Sequence, residues 1–272
     1  MTALQRVLGT GWKTFEKGRK VKNLLALRVG DLSACAIPLE RVAEMGFQGL
    51  EITWPQGWSA DDVRRKLSPA GLRVTSLSVR ARLADDAFLP PFEAAAAQAQ
   101  AVGAGVLFVS LKKEGLSQTE AVDRLRRIGG AVAKHGARVG METHPDLTAN
   151  GDDALATLSA VNHPAIGWNF DTANIYYYNE GRNAVDEARK AARLVVSVHL
   201  KETNGGFKSN QFGVLGTGVV DFAGVFDTLN SQGFHGPFTM EVEGPLMKSE
   251  TPEELAGKIA AGVAHLRRLG KV

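Results

Sequence analysis

The chain is poor in cysteine, and this scarcity excludes two kinds of stabilisation. Cys35 is the only cysteine among 272 residues. One thiol cannot form an intramolecular disulfide, and one sulfur cannot build a thiolate metal site. We therefore expect a cytoplasmic protein. Cys35 has no base beside it in the sequence, so we interpret it as a packed small residue and not as a nucleophile.

Long apolar runs and long charge runs are also missing. No apolar stretch approaches the length of a membrane span, and no basic-then-apolar signal pattern begins the chain. The formal net charge is only +3, although the pI is near 9.0. The basic cluster in residues 17–22 is typical of a solvated terminal segment. We therefore expect neither a membrane partner nor a nucleic-acid partner.

The pattern that is present alternates strands with helices. Apolar runs at residues 21–27, 47–54, 72–80 and 106–112 predict four strands, each followed by a helical segment. No Gly-x-Gly-x-x-Gly follows the first strand, which argues against a dinucleotide-binding fold. With the second half of the chain, the count reaches eight strand–helix units. Eight units favour a single-domain (β/α)8 TIM barrel over residues 21–272, preceded by an N-terminal extension of residues 1–20.

The four predicted strands of the second half each carry an acid or a histidine. These strands cover residues 138–145, 166–172, 195–201 and 237–243. A charge inside an apolar strand is unfavourable unless it is paired or bound to a metal. Since side chains alternate with period two, one face of each strand is apolar and the other is polar. In a barrel the polar faces would meet at the mouth, and they carry Glu142, Asp171, His199 and Glu241.

This donor set predicts a binding site for one divalent metal ion. Three carboxylates and one imidazole suit Mn²⁺ or Mg²⁺ and tolerate Co²⁺ or Zn²⁺. Glu142 and Glu241 would face each other across the mouth. One glutamate could remove the proton from the carbon next to a sugar carbonyl, and the other could return a proton to the opposite face. The metal would stabilise the enediolate between these steps.

Further polar residues near the strand ends are candidates for substrate binding. Glu51 has the inward parity and could bind a sugar hydroxyl, and Trp54 could form an apolar wall or be an ordinary surface residue. His144 could contact substrate or orient a ligand. Lys201 could hold a substrate oxygen or phosphate, or neutralise the surplus carboxylate charge. The glycine-rich segment 213–222 would allow tight turns over the site.

Taken together, these segments resemble the sugar phosphate isomerase/epimerase superfamily, the xylose isomerase-like TIM barrels. The resemblance implies a metal held by a glutamate, an aspartate, a histidine and a glutamate from strands five to eight. In this chain these are Glu142, Asp171, His199 and Glu241. In the ketose 3-epimerases of the family the two glutamates are the acid/base pair, which implies that role for Glu142 and Glu241. The matching segments are residues 44–52, 140–144, 167–172, 198–202, 215–222 and 238–241.

The chain departs from the family pattern at one position. Many relatives have a histidine three residues after the aspartate of strand six, where this chain has Asn174. Asparagine can hydrogen-bond a substrate hydroxyl but cannot carry a proton at neutral pH. The DNA-repair endonuclease branch needs more histidines than the inward positions offer, where only His144 and His199 are found.

The leading hypothesis is a metal-dependent isomerase or epimerase that acts on a ketose or a related keto-sugar. A keto-sugar or keto-inositol lyase or dehydratase could use the same first proton transfer and is the alternative. A non-catalytic barrel subunit and a relative of the DNA-repair endonucleases are further options. The expected partner is a small-molecule sugar or keto-sugar. The chain could also form a homo-oligomer.

Overall fold

Eight short strands of the chain form a closed parallel barrel. The computed structural model describes residues 22–272. Neighbouring strands pair in parallel in the order of the chain, and the last strand pairs with the first, so that Leu25 lies opposite Phe238. The predicted (β/α)8 fold is confirmed; the predicted extension of residues 1–20 and the start of the first predicted strand lie outside the described residues. The barrel strands are β1 (Leu25–Asp31), β2 (Gly49–Thr53), β3 (Arg73–Ser78), β4 (Val106–Val109), β5 (Arg138–Glu142), β6 (Ile166–Asp171), β7 (Val195–Leu200) and β10 (Phe238–Met240). Between β7 and β10, the short strands β8 (Glu202–Thr203) and β9 (Phe212–Gly213) form a separate antiparallel hairpin.

Helices separate the strands and cover the outside of the barrel. Their starts follow from capping residues: Ser117 accepts a hydrogen bond from the Glu120 backbone, and Thr251 accepts one from Glu254. Such caps satisfy the free N–H groups of a first helical turn. The helices are α1 (Leu39–Glu44), α2 (Ala60–Leu67), α3 (Pro90–Val102), α4 (Gln118–Ala133), α5 (Gly151–Val161), α6 (Asn174–Tyr178), α7 (Ala184–Ala191), α8 (Phe222–Ser231) and α9 (Pro252–Arg268).

The hydrophobic core lies between the strands and this helical layer. Trp168 and Phe170 on β6 are fully buried. Phe226 on α8 and Phe238 on β10 are also fully buried, and their rings stack with centroids 4.0 Å apart. The inward face is different. Ser197 donates to Asn169 Oδ1 at 2.6 Å inside the barrel, one pleat below the ends of β7 and β6. The strand parity predicted from the sequence therefore separates an apolar outer face from a polar interior.

Strand β1 extends further than the sequence pattern predicted. The prediction ended it at residue 27, but β1 continues to Asp31 through a register shift between Arg28 and Gly30. Gly30 has a φ of +63°, a conformation that glycine adopts without strain. This irregular end hid the strand character of Arg28. Helix α6 and the β8–β9 hairpin were also not predicted.

None of the helices within residues 22–272 combines the length and apolar character needed to traverse a lipid bilayer. Cys35 is half-buried, and its Sγ lies 3.2 Å from the carbonyl oxygen of Ile37. Burial raises the pKa of this thiol. A thiol with a raised pKa is a poor nucleophile, which agrees with its interpretation as a packing residue.

Candidate metal and active site

Four side chains from four strands meet at the C-terminal mouth of the barrel. Glu142 ends β5, Asp171 ends β6, His199 lies near the end of β7, and Glu241 follows β10. One donor atom from each lies within 4.8 Å of the donor atoms of the other three. The structure thus brings together the four residues that strand parity selected. Their roles as ligands stay a prediction.

The orientation of His199 suits metal binding. Its Nε2 donates to Glu51 Oε1 at 3.1 Å, and the ring packs against Phe108 with centroids 4.5 Å apart. Its Nδ1 is buried and lies 3.5 Å from Glu241 Oε2, and the buried Oδ2 of Asp171 lies 2.9 Å from Nζ of Lys201. An imidazole nitrogen and carboxylate oxygens buried in one cluster fit a divalent cation, and a carboxylate behind the histidine is typical of metal sites.

Without a metal, the His199 imidazole is strongly influenced by neighbouring carboxylates. Burial alone would lower its pKa, but Glu51 and Glu241 outweigh burial and raise the pKa to about 10. Burial also raises the pKa of Glu51, yet His199 and Arg28 reverse this and leave it lowered. His199 and Glu51 therefore form a buried imidazolium–carboxylate pair.

Lys201 supplies a second positive charge inside the cluster. Its Nζ lies 2.9 Å from Asp171, 2.7 Å from Glu241 and 3.0 Å from Glu243, and the side chain is 3% exposed. Burial lowers the pKa of Lys201, but Asp171 and Glu241 outweigh it and hold the pKa well above its usual value. These contacts agree with the charge-neutralising role of Lys201, and its contact with a substrate stays a prediction.

Glu142 and Glu241 have opposite electrostatic environments. Burial raises the pKa of Glu142 to about 7, with a further contribution from Glu241. Burial also opposes ionisation of Glu241, but Lys201 and His199 outweigh it and hold its pKa well below the usual range. With a pKa of about 7, the Glu142 carboxyl group is partly protonated near neutral pH.

Two neighbours orient Glu142. Ser110 donates to Glu142 Oε2 at 2.6 Å, and Asn174 Nδ2 lies 3.4 Å from Oε1 and 3.2 Å from the carbonyl oxygen of Thr143. Asn174 begins helix α6, where its backbone N–H donates to Asp171. The residue that departs from the family pattern therefore contacts Glu142. Ser110 was not singled out from the sequence, because the predicted fourth strand ran two residues past it.

Arg28 is the main charged residue of the site that the sequence reasoning missed. Its Nη1 pairs with Glu241, and its Nε lies 3.5 Å from Glu51. The guanidinium lies over the Phe108 ring at 4.7 Å from the centroid. Burial lowers the pKa of Arg28, but Glu241 and Glu51 outweigh it and raise it. A cavity of about 510 Å³ opens here, lined by Arg28, Phe108, Ser110, Glu142, Glu241 and Glu243.

Two predicted substrate contacts lie elsewhere. Glu51 is fully buried, and its oxygens are taken by His199, by Arg28 and by Ser76, whose Oγ donates at 2.7 Å. It lies behind His199, so the expected contact with a sugar hydroxyl is replaced by one with a ligand candidate. Trp54 is half-buried, donates to the carbonyl oxygen of Trp58, and is not among the residues that line the mouth cavity.

His144 lies beside the cluster and not in it. Its Nδ1 is 2.8 Å from the carbonyl oxygen of Pro145, and its ring packs on Tyr178 at 4.8 Å. Burial lowers the pKa of this imidazole, so it is neutral near pH 7. With Lys112 and Lys208 it lines a separate cavity of about 520 Å³ on this side of the mouth.

The glycine-rich segment is held by a buried glutamate. Glu202 is 1% exposed and accepts hydrogen bonds from the backbone N–H groups of Gly216 and Val220 at 2.8 and 3.1 Å. At Gly218 a Cβ atom would lie 2.1 Å from the carbonyl oxygen of Thr203, so the close approach requires glycine. Asp221, at the end of this segment, caps helix α8 by accepting a hydrogen bond from the backbone N–H of Gly224.

The family of the chain follows from comparison with known proteins. The model of the xylose isomerase-like TIM barrel family matches residues 39–269, which is most of the sequence. The chain therefore belongs to the xylose isomerase-like TIM barrel family. This confirms the resemblance inferred from the strand segments.

Solved structures of similar fold agree with this assignment. A xylose isomerase domain protein from Planctomyces limnophilus superposes with a TM-score of 0.74 at 24% identity, over 92% of this chain and 98% of that protein. D-psicose 3-epimerase from Clostridium cellulolyticum H10 superposes with a TM-score of 0.72 at 14% identity, over 92% of this chain and all of that protein. At these identities the likeness concerns the fold.

A curated relative matches a shorter part of the chain. L-ribulose-5-phosphate 3-epimerase UlaE from Escherichia coli is 43% identical over 67 residues. The match covers 24% of this chain and 21% of the length of that relative.

Proposed function

We propose that the protein is a divalent-metal-dependent sugar isomerase or epimerase that acts on a ketose or a related keto-sugar. The observation that carries this proposal is the convergence of Glu142 and Glu241 on the candidate metal cluster, from strands on different sides of the barrel mouth. The family membership and the partial match to a ribulose-phosphate epimerase support a sugar substrate.

The fit of the cluster to a metal rests on its own atoms. Nδ1 of His199 and Oδ2 of Asp171 are buried, and with the carboxylates of Glu142 and Glu241 they form a mostly oxygen donor set within 4.8 Å. Such a set suits Mn²⁺ or Mg²⁺ best and admits Co²⁺ or Zn²⁺. A bound divalent ion would polarise the carbonyl and hydroxyl oxygens of the substrate.

The two glutamates then perform the proton transfers. One carboxylate removes the proton from the carbon next to the carbonyl, and the electron pair moves onto the carbonyl oxygen to give the enediolate. The other carboxyl group delivers a proton to the opposite face of that carbon, which inverts its configuration. Ser110 and Asn174 orient Glu142 for this step, whereas Arg28 and Lys201 orient Glu241.

Incubation of Mn²⁺-loaded protein with a panel of keto-sugars in deuterated buffer tests this function. We expect a recovered epimer or isomer that carries solvent deuterium at the reacting carbon. Glu142→Gln and Glu241→Gln should each lower turnover by about 10²–10⁴-fold, the usual contribution of an acid/base group. Glu241→Gln should also weaken Mn²⁺ binding.

Glu44→Gln is the matched control, since Glu44 ends helix α1 and, among residues 22–272, forms an ion pair only with the exposed Arg41. It should leave turnover unchanged. A dehydrated product in place of an epimer would assign the site to a lyase. Failure to bind Mn²⁺ at saturating concentration, or wild-type turnover in Glu241→Gln, would refute the mechanism.

A further inference from the structure

A second cavity adjoins the candidate active site on the side of strands β1 to β4. It has a volume of about 520 Å³ and shares Arg28, Phe108 and Ser110 with the mouth cavity. The two cavities are therefore adjacent, and a ligand that extends from Glu142 and Glu241 past Arg28 would reach the second one. Volumes of this size are typical of small-molecule sites. Its remaining wall includes Ser78, Arg80 and Arg82.

The charge of this arginine cavity is positive and only partly balanced. Arg82 donates to Glu114 at 3.1 and 3.2 Å and lies 3.7 Å from Asp85, which also lines the cavity. Arg28 is balanced by Glu51 and Glu241. Within residues 22–272, Arg80 has no ion pair, so its guanidinium is available to a ligand.

A buried hydroxyl faces the same cavity. Ser78 lies on β3 two residues beyond Ser76, whose side chain points inward to Glu51. Parity therefore directs Ser78 to the interior as well, one pleat nearer the mouth. Its Oγ is buried and has no hydrogen-bond partner among the described residues. Buried polar groups are usually satisfied, so this hydroxyl indicates a missing partner.

The opposite side of the mouth offers a weaker case for an anion. There, Nζ of Lys208 lies 4.9 to 5.3 Å from the ring centroids of Phe207, Tyr177 and Tyr178. The charge of Lys208 is thus already engaged by aromatic faces. In the part of the chain that the structure describes, Arg80 lies over no aromatic ring, and guanidinium groups bind planar or tetrahedral oxyanions through paired donors.

We propose that the arginine cavity binds an anionic end group of the substrate, a phosphate ester or a carboxylate. The proposal rests on the proposed function, because it takes the reacting carbonyl to lie at the metal cluster. Arg80 and Ser78 contact the anion, and Arg28, which lines both cavities, lies beside the part of the substrate between them. The substrate class is accordingly an anionic keto-sugar and not a neutral one.

Binding measurements on Mn²⁺-loaded protein test this assignment without relying on turnover. Isothermal titration would compare D-fructose, D-fructose 6-phosphate and 5-keto-D-gluconate in wild type, Arg80→Met and Ser78→Ala. We expect the wild type to prefer an anionic sugar to fructose. Arg80→Met should lower its affinity for that sugar by about ten- to hundredfold, the usual effect of one charge-assisted contact, and leave fructose binding unchanged. Inorganic phosphate should compete with the phosphate ester.

Arg193→Met is the matched control, because Arg193 precedes β7 at the other end of the barrel and bonds to Gln232. Arg80-dependent binding of fructose 6-phosphate identifies a phosphate subsite, and the same result with 5-keto-gluconate identifies a carboxylate subsite. Equal affinity for neutral and anionic sugars in the wild type would overturn the proposal. So would a selective loss in Lys208→Met with none in Arg80→Met.

The two proposals fail in different ways. If Arg80-dependent anion binding is found but no keto-sugar is converted, the anion subsite stands and the proposed function falls. If keto-sugars are converted and Arg80→Met alters neither the affinity nor the preference for an anionic substrate, the proposed function stands and the anion subsite falls.

Discussion

Replacement of Glu51 by glutamine should weaken metal binding, although Glu51 is not part of the four-residue cluster. Its carboxylate is fully buried and accepts from His199 Nε2 at 3.1 Å. Glutamine keeps the side-chain size and an acceptor oxygen but removes the negative charge. A hydrogen bond to a charged group contributes about 1.5–3 kcal/mol and a neutral one about 0.5–1.5 kcal/mol. The difference, on the order of 1–2 kcal/mol, corresponds to about 5- to 30-fold weaker binding.

The assay is a calorimetric Mn²⁺ titration of chelator-treated protein at fixed pH, with circular dichroism to verify the fold. Ser76→Ala is a matched variant, because it removes the 2.7 Å hydrogen bond to Glu51 and leaves the charge in place. Its loss of affinity should be smaller than that of Glu51→Gln. Wild-type Mn²⁺ affinity in a correctly folded Glu51→Gln protein would refute the argument that this carboxylate supports His199 as a ligand.

Two further substitutions probe stability. Lys201→Met removes a buried positive charge that pairs with Asp171 and Glu241. Without added metal, the variant should therefore lose on the order of 3–5 kcal/mol of unfolding free energy, and added Mn²⁺ should restore part of it. An unchanged urea denaturation midpoint without metal would contradict this expectation. Phe226→Ala opens a cavity beside Phe238 and should cost about 3–5 kcal/mol, whereas Phe207→Ala, at a side chain 46% exposed, should change urea denaturation little.

The barrel could be predicted from the sequence because its signals are periodic. Alternation along β5, β6 and β7 separates an apolar face from a polar one. Parity alone predicted that Glu142, Asp171 and His199 face the interior of the barrel. A parallel barrel then has only one place where such residues can meet. The convergence of the cluster within 4.8 Å follows from this geometry.

The contacts around the cluster could not be predicted in the same way. Arg28 lies at the edge of a register shift in β1, just before the regular strand pattern is interrupted. Parity predicted that Glu51 faces the barrel interior, but it did not give the position of the carboxylate along the barrel axis. That position decides whether the carboxylate reaches the mouth or lies behind His199. The partners of Lys201 depend on side-chain reach across strands, which strand periodicity does not encode.

The candidate metal ligands and the proposed anion site lie in different halves of the barrel, and this separation affects which substitutions the protein can tolerate. All four residues of the candidate metal cluster belong to the stretch from β5 to the end of β10 and the residue after it, whereas Ser78 and Arg80 belong to β3 and the loop after β3. If both proposals hold, exchange of the loop after β3 would change which end group of a sugar is accepted and leave the four candidate ligands in place. One scaffold can in this way give rise to enzymes of differing preference through changes confined to a single side of its rim.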